Sequence, residues 1–114
     1  MTLSEICSLL SGNVICGEDK LGESVEYAFA SDLMSDVLTI KRDNFLIITG
    51  LANIQSVRTA EMSDLSYLIV CRGKKCTDDM VELAQDNGMV LIESPMSLFK
   101  CSGILYGAGL KPIF

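Results

Sequence analysis

Apolar positions near the N-terminus follow a helical period, and strand-like patterns come after them. Between Leu3 and Leu10 the apolar residues recur at i, i+3, i+4 and i+7, the spacing of an amphipathic helix. Thr2 and Glu5 have the spacing of a capping box, which predicts where this helix begins. A short strand is predicted next, at Asn13–Cys16.

Four later segments have the patterns of strands. Val25, Tyr27 and Phe29 alternate with other residues at period 2, which indicates a strand with one wetter face. Three further segments are continuously apolar, as in strands covered on both faces, and they span 45–49, 67–71 and 89–92.

Helical patterns separate these strands. Ser31 and Asp32 are placed to cap a short helix, and further helices are predicted over 53–62, from Thr77 to Gly88, and from Ser94-Pro95 onward. Strands that alternate with helices of this length predict parallel crossover units. We therefore expect a layered α/β sheet in a single domain over residues 1–114.

Composition excludes several classes of function. The chain has 114 residues and a net charge of −6, which argues against a nucleic-acid partner, since such surfaces need clustered Lys and Arg. It has no histidine, so imidazole catalysis and histidine metal ligands are excluded. The apolar runs are too short to span a bilayer, and the N-terminus lacks a basic signal segment. We expect a cytoplasmic protein with no membrane partner and no cofactor.

Two loops that follow predicted strands have the composition of an anion site. The first, at 49–55, offers a glycine, an Asn cap and a nearby arginine, and the second, at 71–77, concentrates three cations and a glycine. The candidate ligand-binding residues are Gly50, Asn53, Gln55, Arg58, Thr59, Arg72, Gly73 and Lys74.

Each loop also has a purely structural interpretation. Asn53 would then only cap its helix, Arg58 would pair with Glu61 or Asp64, and the second loop would be a solvated helix entry. Neither loop contains the pattern of a P-loop. No catalytic residue and no metal ligand is assigned.

The five cysteines are odd in number and scattered, which favours a reducing compartment. Cys76 precedes a predicted helix and follows two lysines, so we expect its pKa to be lowered. A thiol-based redox or metal-handling role would use Cys71, Cys76 and Cys101, provided that their sulfurs converge. Near the C-terminus, residues 103–110 are apolar and rich in glycine, and we expect them to support a homodimer.

Five segments taken together resemble the stand-alone DRTGG domain proteins. They are ASDLMSDVL (30–38), ITGL (48–51), QSVRTAEM (55–62), RGK (72–74) and GILY (103–106). The resemblance covers nearly the whole chain from Val25 to Leu110. The string that gives the family its name is absent, and CRGK (71–74) stands in its place.

The resemblance implies a three-layer α/β/α domain with a mixed, largely parallel sheet, like the N-terminal domain of HPr kinase/phosphorylase. Related domains occur in phosphotransacetylases and between the CBS modules of regulatory pyrophosphatases, where they accompany a catalytic partner. Kinase activity is not implied, because the P-loop domain of that kinase is missing. Stand-alone members resemble companions of iron hydrogenase systems.

These observations lead to two functional hypotheses. The first is a non-catalytic regulatory or ligand-sensing domain, which binds a small anionic metabolite or nucleotide and acts with an unknown partner protein. The second is the thiol-based redox or metal-handling accessory, associated with a hydrogenase system.

Overall fold

The computed structural model describes residues 1–114 and contains five α-helices, one short 3-10 helix at Glu18–Lys20 and six strands. The helices are α1 (Leu3–Leu9), α2 (Met34–Leu38), α3 (Ile54–Met62), α4 (Asp78–Asp86) and α5 (Leu98–Gly107). The strands are β1 (Asn13–Cys16), β2 (Tyr27–Ala30), β3 (Phe45–Thr49), β4 (Tyr67–Val70), β5 (Val90–Glu93) and β6 (Lys111–Pro112). None of the helices is long and apolar enough to cross a lipid bilayer.

The six strands form one sheet in the order β1-β5-β4-β3-β2-β6. β1 runs antiparallel to β5, and every other neighbouring pair is parallel. In the centre, Ile48 lies beside Ile69, and Ile69 lies beside Ile92. The predicted mixed, largely parallel sheet is confirmed.

Helices cover both faces of this sheet. α1 and α5 pack on one face with Leu46 and Ile48, whereas α2, α3 and α4 pack on the other with Phe45 and Ile47. Successive residues of β3 therefore enter opposite cores, and all five of its residues are buried. This is the three-layer α/β/α architecture that the resemblance to DRTGG domain proteins implied.

The two strands at the β6 end of the sheet, β2 and β6, differ from the prediction. β2 begins at Tyr27 rather than at Val25, which is buried and donates its backbone N–H to the Met1 carbonyl at 2.9 Å. β6 was not predicted at all, since two residues, one of them a proline, carry no strand period. It pairs only with β2, at the end of the sheet.

Two predicted helix starts were wrong. α5 begins at Leu98 with Ser97 as its N-cap, because Ser94 is buried and its hydroxyl donates to the Leu10 carbonyl at 2.7 Å. α2 has no side-chain cap; the Asp32 carboxylate, assigned to that cap, binds the end of β3 instead.

Candidate ligand site at the carboxyl edge of the sheet

Asp32 holds the end of β3 in place. Its Oδ1 accepts from the Gly50 backbone N–H at 2.6 Å and from the Thr49 hydroxyl at 3.0 Å. The same hydroxyl oxygen accepts from the Leu51 N–H at 3.1 Å. One carboxylate from the loop after β2 thus orients the loop after β3, at the edge where ligands collect in parallel α/β sheets.

The loop after β4 turns sharply toward the loop after β5. Arg72 and Gly73 have φ angles of +67° and +69°, which turn the chain through two consecutive left-handed residues. The Arg72 N–H donates to the Met96 carbonyl at 2.7 Å, and the Gly73 N–H donates to the Ser94 carbonyl at 3.0 Å. Two strand-to-helix loops are therefore joined at the site.

The turn places the Arg72 side chain over Gly50. A Cβ at position 50 would lie 3.1 Å from Nε of Arg72 and 3.4 Å from Oδ1 of Asp32. Gly50 is buried and Arg72 is exposed, so the arginine covers the glycine backbone. Glycine permits this close approach. Two of the predicted site residues, far apart in the sequence, are in this way brought together.

The cations of the β4–α4 loop differ in what they bind. Lys75 forms an ion pair with Glu93, with Nζ and Oε1 3.5 Å apart. Glu93 also accepts from the Cys76 N–H at 2.8 Å. Arg72 and Lys74 are exposed and take part in no ion pair, since the structure's other ion pair joins Lys111 to Glu26. Two cations of this loop are therefore free to meet an anion.

The loop after β3 contributes its helix cap. The Asn53 side chain accepts from the Gln55 N–H at 3.0 Å, and both residues are exposed. The structural interpretation of Asn53 as an N-cap is confirmed. The loop that contains Gly50 therefore leads directly into the start of α3, which carries a partial positive charge.

No hydrogen bond or ion pair joins the side chains of Arg58 and Thr59 to the other predicted site residues. Arg58 lies one turn into α3, in a groove that it shares with acidic residues of α4, namely Asp79, Glu82 and Asp86. It forms no ion pair with Glu61 or Asp64, so its predicted structural pairing is wrong. Thr59 is fully buried, and its hydroxyl has no hydrogen-bond partner.

Backbone amides contribute less to the site than its composition suggested. The N–H groups of Gly50, Arg72 and Gly73 already donate to protein oxygens. An anion at this edge would therefore be held mainly by the guanidinium of Arg72 and the ammonium of Lys74. Such contacts are charge-assisted, and the planar guanidinium can bind two oxygens of one phosphate.

Asp32 and Glu93 are the two residues of this edge that sequence reasoning missed. Each ends or follows a strand at its carboxyl end, which is the one signal that could have identified them. Neither residue belongs to a motif of known ligand-binding chemistry. Both carboxylates hold loop backbone in place, because each accepts a backbone N–H.

The expectation of a lowered pKa at Cys76 is wrong. Burial, with the Glu93 carboxylate beside it, raises the pKa of the Cys76 thiol to about 12. Burial also raises the pKa of Cys71 to about 12, with Cys101 and Asp32 adding to the effect. Lys75 opposes the shift at Cys76, but it is the smallest contribution. Both thiols stay protonated at neutral pH.

The three cysteines of the thiol hypothesis do not converge. Cys71 and Cys101 belong to the core on the α1 and α5 side of the sheet, whereas Cys76 packs against the opposite core. No group of three or more Cys, Asp or Glu side chains is arranged to hold a metal ion. The thiol-based redox or metal-handling hypothesis required the sulfurs of all three cysteines to converge, and this requirement is not met.

Comparisons with known proteins identify the fold of this chain and no family. No family model matches the chain, and a search of curated proteins found no significant match. Among solved structures, the chain is similar to the CBS and DRTGG domains of the regulatory region of Clostridium perfringens pyrophosphatase, complexed with the activator diadenosine tetraphosphate. The TM-score is 0.75 and the sequence identity is 19%.

The match covers 98% of this chain and 48% of the other, so the chain spans about half the length of that regulatory region. The likeness confirms the α/β fold, and it agrees with the DRTGG resemblance of the sequence as far as fold is concerned. The matched region is regulatory rather than catalytic. The expected likeness to the N-terminal domain of HPr kinase/phosphorylase stays a prediction.

Proposed function

We propose that this chain is a non-catalytic regulatory domain that binds a small anionic ligand, a nucleotide or a phosphorylated metabolite, and acts on a partner protein. The observation that carries the proposal is the pair of exposed cations, Arg72 and Lys74, which have no ion-pair partner. They occur in a chain whose net charge is −6. Unpaired cations concentrated in one loop of an acidic protein favour an anion as their partner.

The position of this loop supports the proposal. It follows β4 at the carboxyl edge, where its arginine lies over Gly50 and its backbone is joined to the loop after β5. A phosphate bound to the guanidinium would contact groups that three neighbouring strands position. A change at the loop would then be passed to the starts of α3, α4 and α5.

The structural neighbour supports the choice of ligand class. Its regulatory region is complexed with diadenosine tetraphosphate, a ligand whose phosphate chain is anionic. We carry over only the chemistry of that ligand, phosphate oxygens attached to a nucleoside. Cytoplasmic location, a single functional domain over residues 1–114 and the identity of the partner protein stay predictions.

A thermal-shift screen tests the proposal. The reduced protein would be heated with adenine nucleotides, phosphorylated metabolites and transition metals, because a ligand that binds only the folded state raises the melting temperature. We expect a phosphate-containing ligand to raise it. Arg72→Ala should lower the affinity for that ligand by about tenfold or more, since a hydrogen bond to a charged group contributes about 1.5–3 kcal/mol.

The matched control is Arg58→Ala. Arg58 is also an exposed arginine without an ion pair, but it lies in the groove beside the α4 carboxylates. Its removal should leave the thermal shift unchanged. The proposal fails if no anion produces a shift, or if Arg58→Ala weakens binding as much as Arg72→Ala does.

A further inference from the structure

Helix α5 is apolar on nearly all sides. Of its ten residues only Lys100 is charged. Cys101 and Leu105 face the core, yet Phe99 is 89% exposed and Tyr106 is 69% exposed on the outside. A helix that is hydrophobic all round is normally buried, so one side of α5 lacks a cover.

An apolar groove runs beside this uncovered side. α5 does not cover β2 completely, and Ala28, Ala30 and Ile48 line the groove between them. The opposite wall is the C-terminal tail, whose Phe114 is 88% exposed and packs edge-on against Phe29 with ring centroids 6.1 Å apart. The groove has a volume of about 460 Å³.

The lining of this groove contains no acidic side chain. Its one charged residue is Lys111, which already pairs with Glu26 at 3.5 Å. The chain as a whole carries a net charge of −6. Two acidic copies can therefore approach through this surface without placing acidic side chains of the groove against each other.

Two glycines leave part of the α5 backbone bare. A Cβ at Gly103 or Gly107 would find no atom within 4 Å. Both glycines are exposed and stand four residues apart, on one side of the helix. Nothing within the chain requires glycine at either position. A second helix could approach closely there, because the distance between helix axes depends on the side chains at the contact.

We propose that this surface, which we call the α5 face, is an interface between two copies of the chain. It comprises α5 at Phe99, Gly103 and Tyr106 together with the groove. Because protruding aromatic residues and the groove lie side by side, the surface is self-complementary, as a twofold contact requires. α5 of each copy occupies the groove of the other, and the two helices cross near Gly103.

The exposed area is sufficient for a dimer. A fully buried aromatic side chain covers about 150–250 Å², so Phe99, Tyr106 and Phe114 together offer about 400–600 Å² on each copy. With the groove lining added, the two copies bury more than about 1,000 Å² in total, which is the size that stable interfaces reach. The interface does not depend on the ligand site at the carboxyl edge.

Sedimentation equilibrium of the full chain and of Gly103→Glu tests the proposal. The replacement meets no atom in its own chain and favours the helix, so the variant should fold. We expect the wild type to be dimeric and the dissociation constant of the dimer to rise at least about tenfold in Gly103→Glu. Phe99→Glu should weaken the dimer in the same way.

The control is Met62→Glu, which changes a residue that is 69% exposed on α3, on the other face of the sheet. It should leave the dimer intact. A wild type that stays monomeric at about 100 µM would overturn the proposal and assign the groove to a different partner or to an apolar ligand. A dimer that tolerates both Gly103→Glu and Phe99→Glu would also overturn it, since the copies would then meet elsewhere.

Discussion

The carboxyl edge of the sheet and the α5 face expose opposite kinds of groups. At the carboxyl edge the backbone amides of Gly50, Arg72 and Gly73 are paired, while two cations are not. In the groove of the α5 face the one charged residue, Lys111, is paired, while apolar side chains and the helix backbone at two glycines are left uncovered. What is left without a partner in each region indicates what that region binds.

The difference separates the two binding events physically. Contacts between exposed charges weaken with added salt, whereas burial of apolar area does not depend on screening. We therefore expect anion binding at the carboxyl edge to weaken as ionic strength rises. The association of two copies through the α5 face should be maintained or strengthened.

Alkaline pH should destabilise the fold on both faces of the sheet, and this is the largest effect that we expect. Cys71 and Cys76 lie on opposite faces of the sheet, and their folded pKa values are raised from 9.0 to about 12. Between those values the unfolded chain has released protons that the folded chain retains. The free energy of unfolding therefore has its full value below pH 9 and falls as the pH rises toward 12.

Urea unfolding under reducing conditions at several pH values between 7 and about 11 measures this loss. Tyr67, which donates to Glu23, should add to it, because burial and that carboxylate raise its pKa to about 12. A free energy of unfolding that stays constant across this window would show that the thiols are not held protonated.

Ile69→Ala should have the next largest effect. Ile69 is fully buried between Ile48 and Ile92 in the central strands that support both regions. Its loss leaves a cavity, and we expect the free energy of unfolding to fall by about 3 kcal/mol. The control Leu33→Ala, at an exposed position, should change it by less than about 0.5 kcal/mol. Equal effects in urea unfolding would contradict the assignment of the core.

Glu93→Ala should distinguish the two regions with a smaller effect. Glu93 is 7% exposed and accepts from the Cys76 N–H, so its removal leaves that donor without its partner. We expect a loss of about 2 kcal/mol, with weaker anion binding and an unchanged dimer.

Glu93→Gln is the matched control for that change. It keeps an oxygen acceptor and removes only the ion pair with the exposed Lys75, so the expected loss is at most about 1 kcal/mol. Calorimetric titration and sedimentation of both variants measure the two properties separately. If Glu93→Ala weakened the dimer but left anion binding intact, the proposed independence of the two regions would be wrong.

The central strands and most helix caps could be predicted because their signals are local. Apolar runs identified β3, β4 and β5, and the predicted capping box at Thr2 and the predicted helix start at Thr77 are both found in the structure. β6 and the start of α5 could not be predicted in this way. Their positions depend on long-range bonds, such as that from Ser94 to Leu10.

The candidate site was predicted only in part for the same reason. Glycine and charge composition singled out Gly50 and Arg72, but only the fold shows that one lies over the other. Composition also assigned Arg58 to the site, whereas in the structure Arg58 lines a groove with carboxylates of α4. Asp32 was missed, because a carboxylate that binds backbone N–H groups has no sequence motif.

The ligand site at the carboxyl edge can be located by titrating the labelled protein with ATP and with inorganic pyrophosphate and following its amide chemical shifts. We expect shifts at Gly50, Arg72, Gly73 and Lys74, with the amides of α5 around Gly103 unchanged. The shifts should be lost in Arg72→Ala and retained in Arg58→Ala. Shifts confined to the α5 face, or no shifts with either anion, would contradict a ligand site at the carboxyl edge.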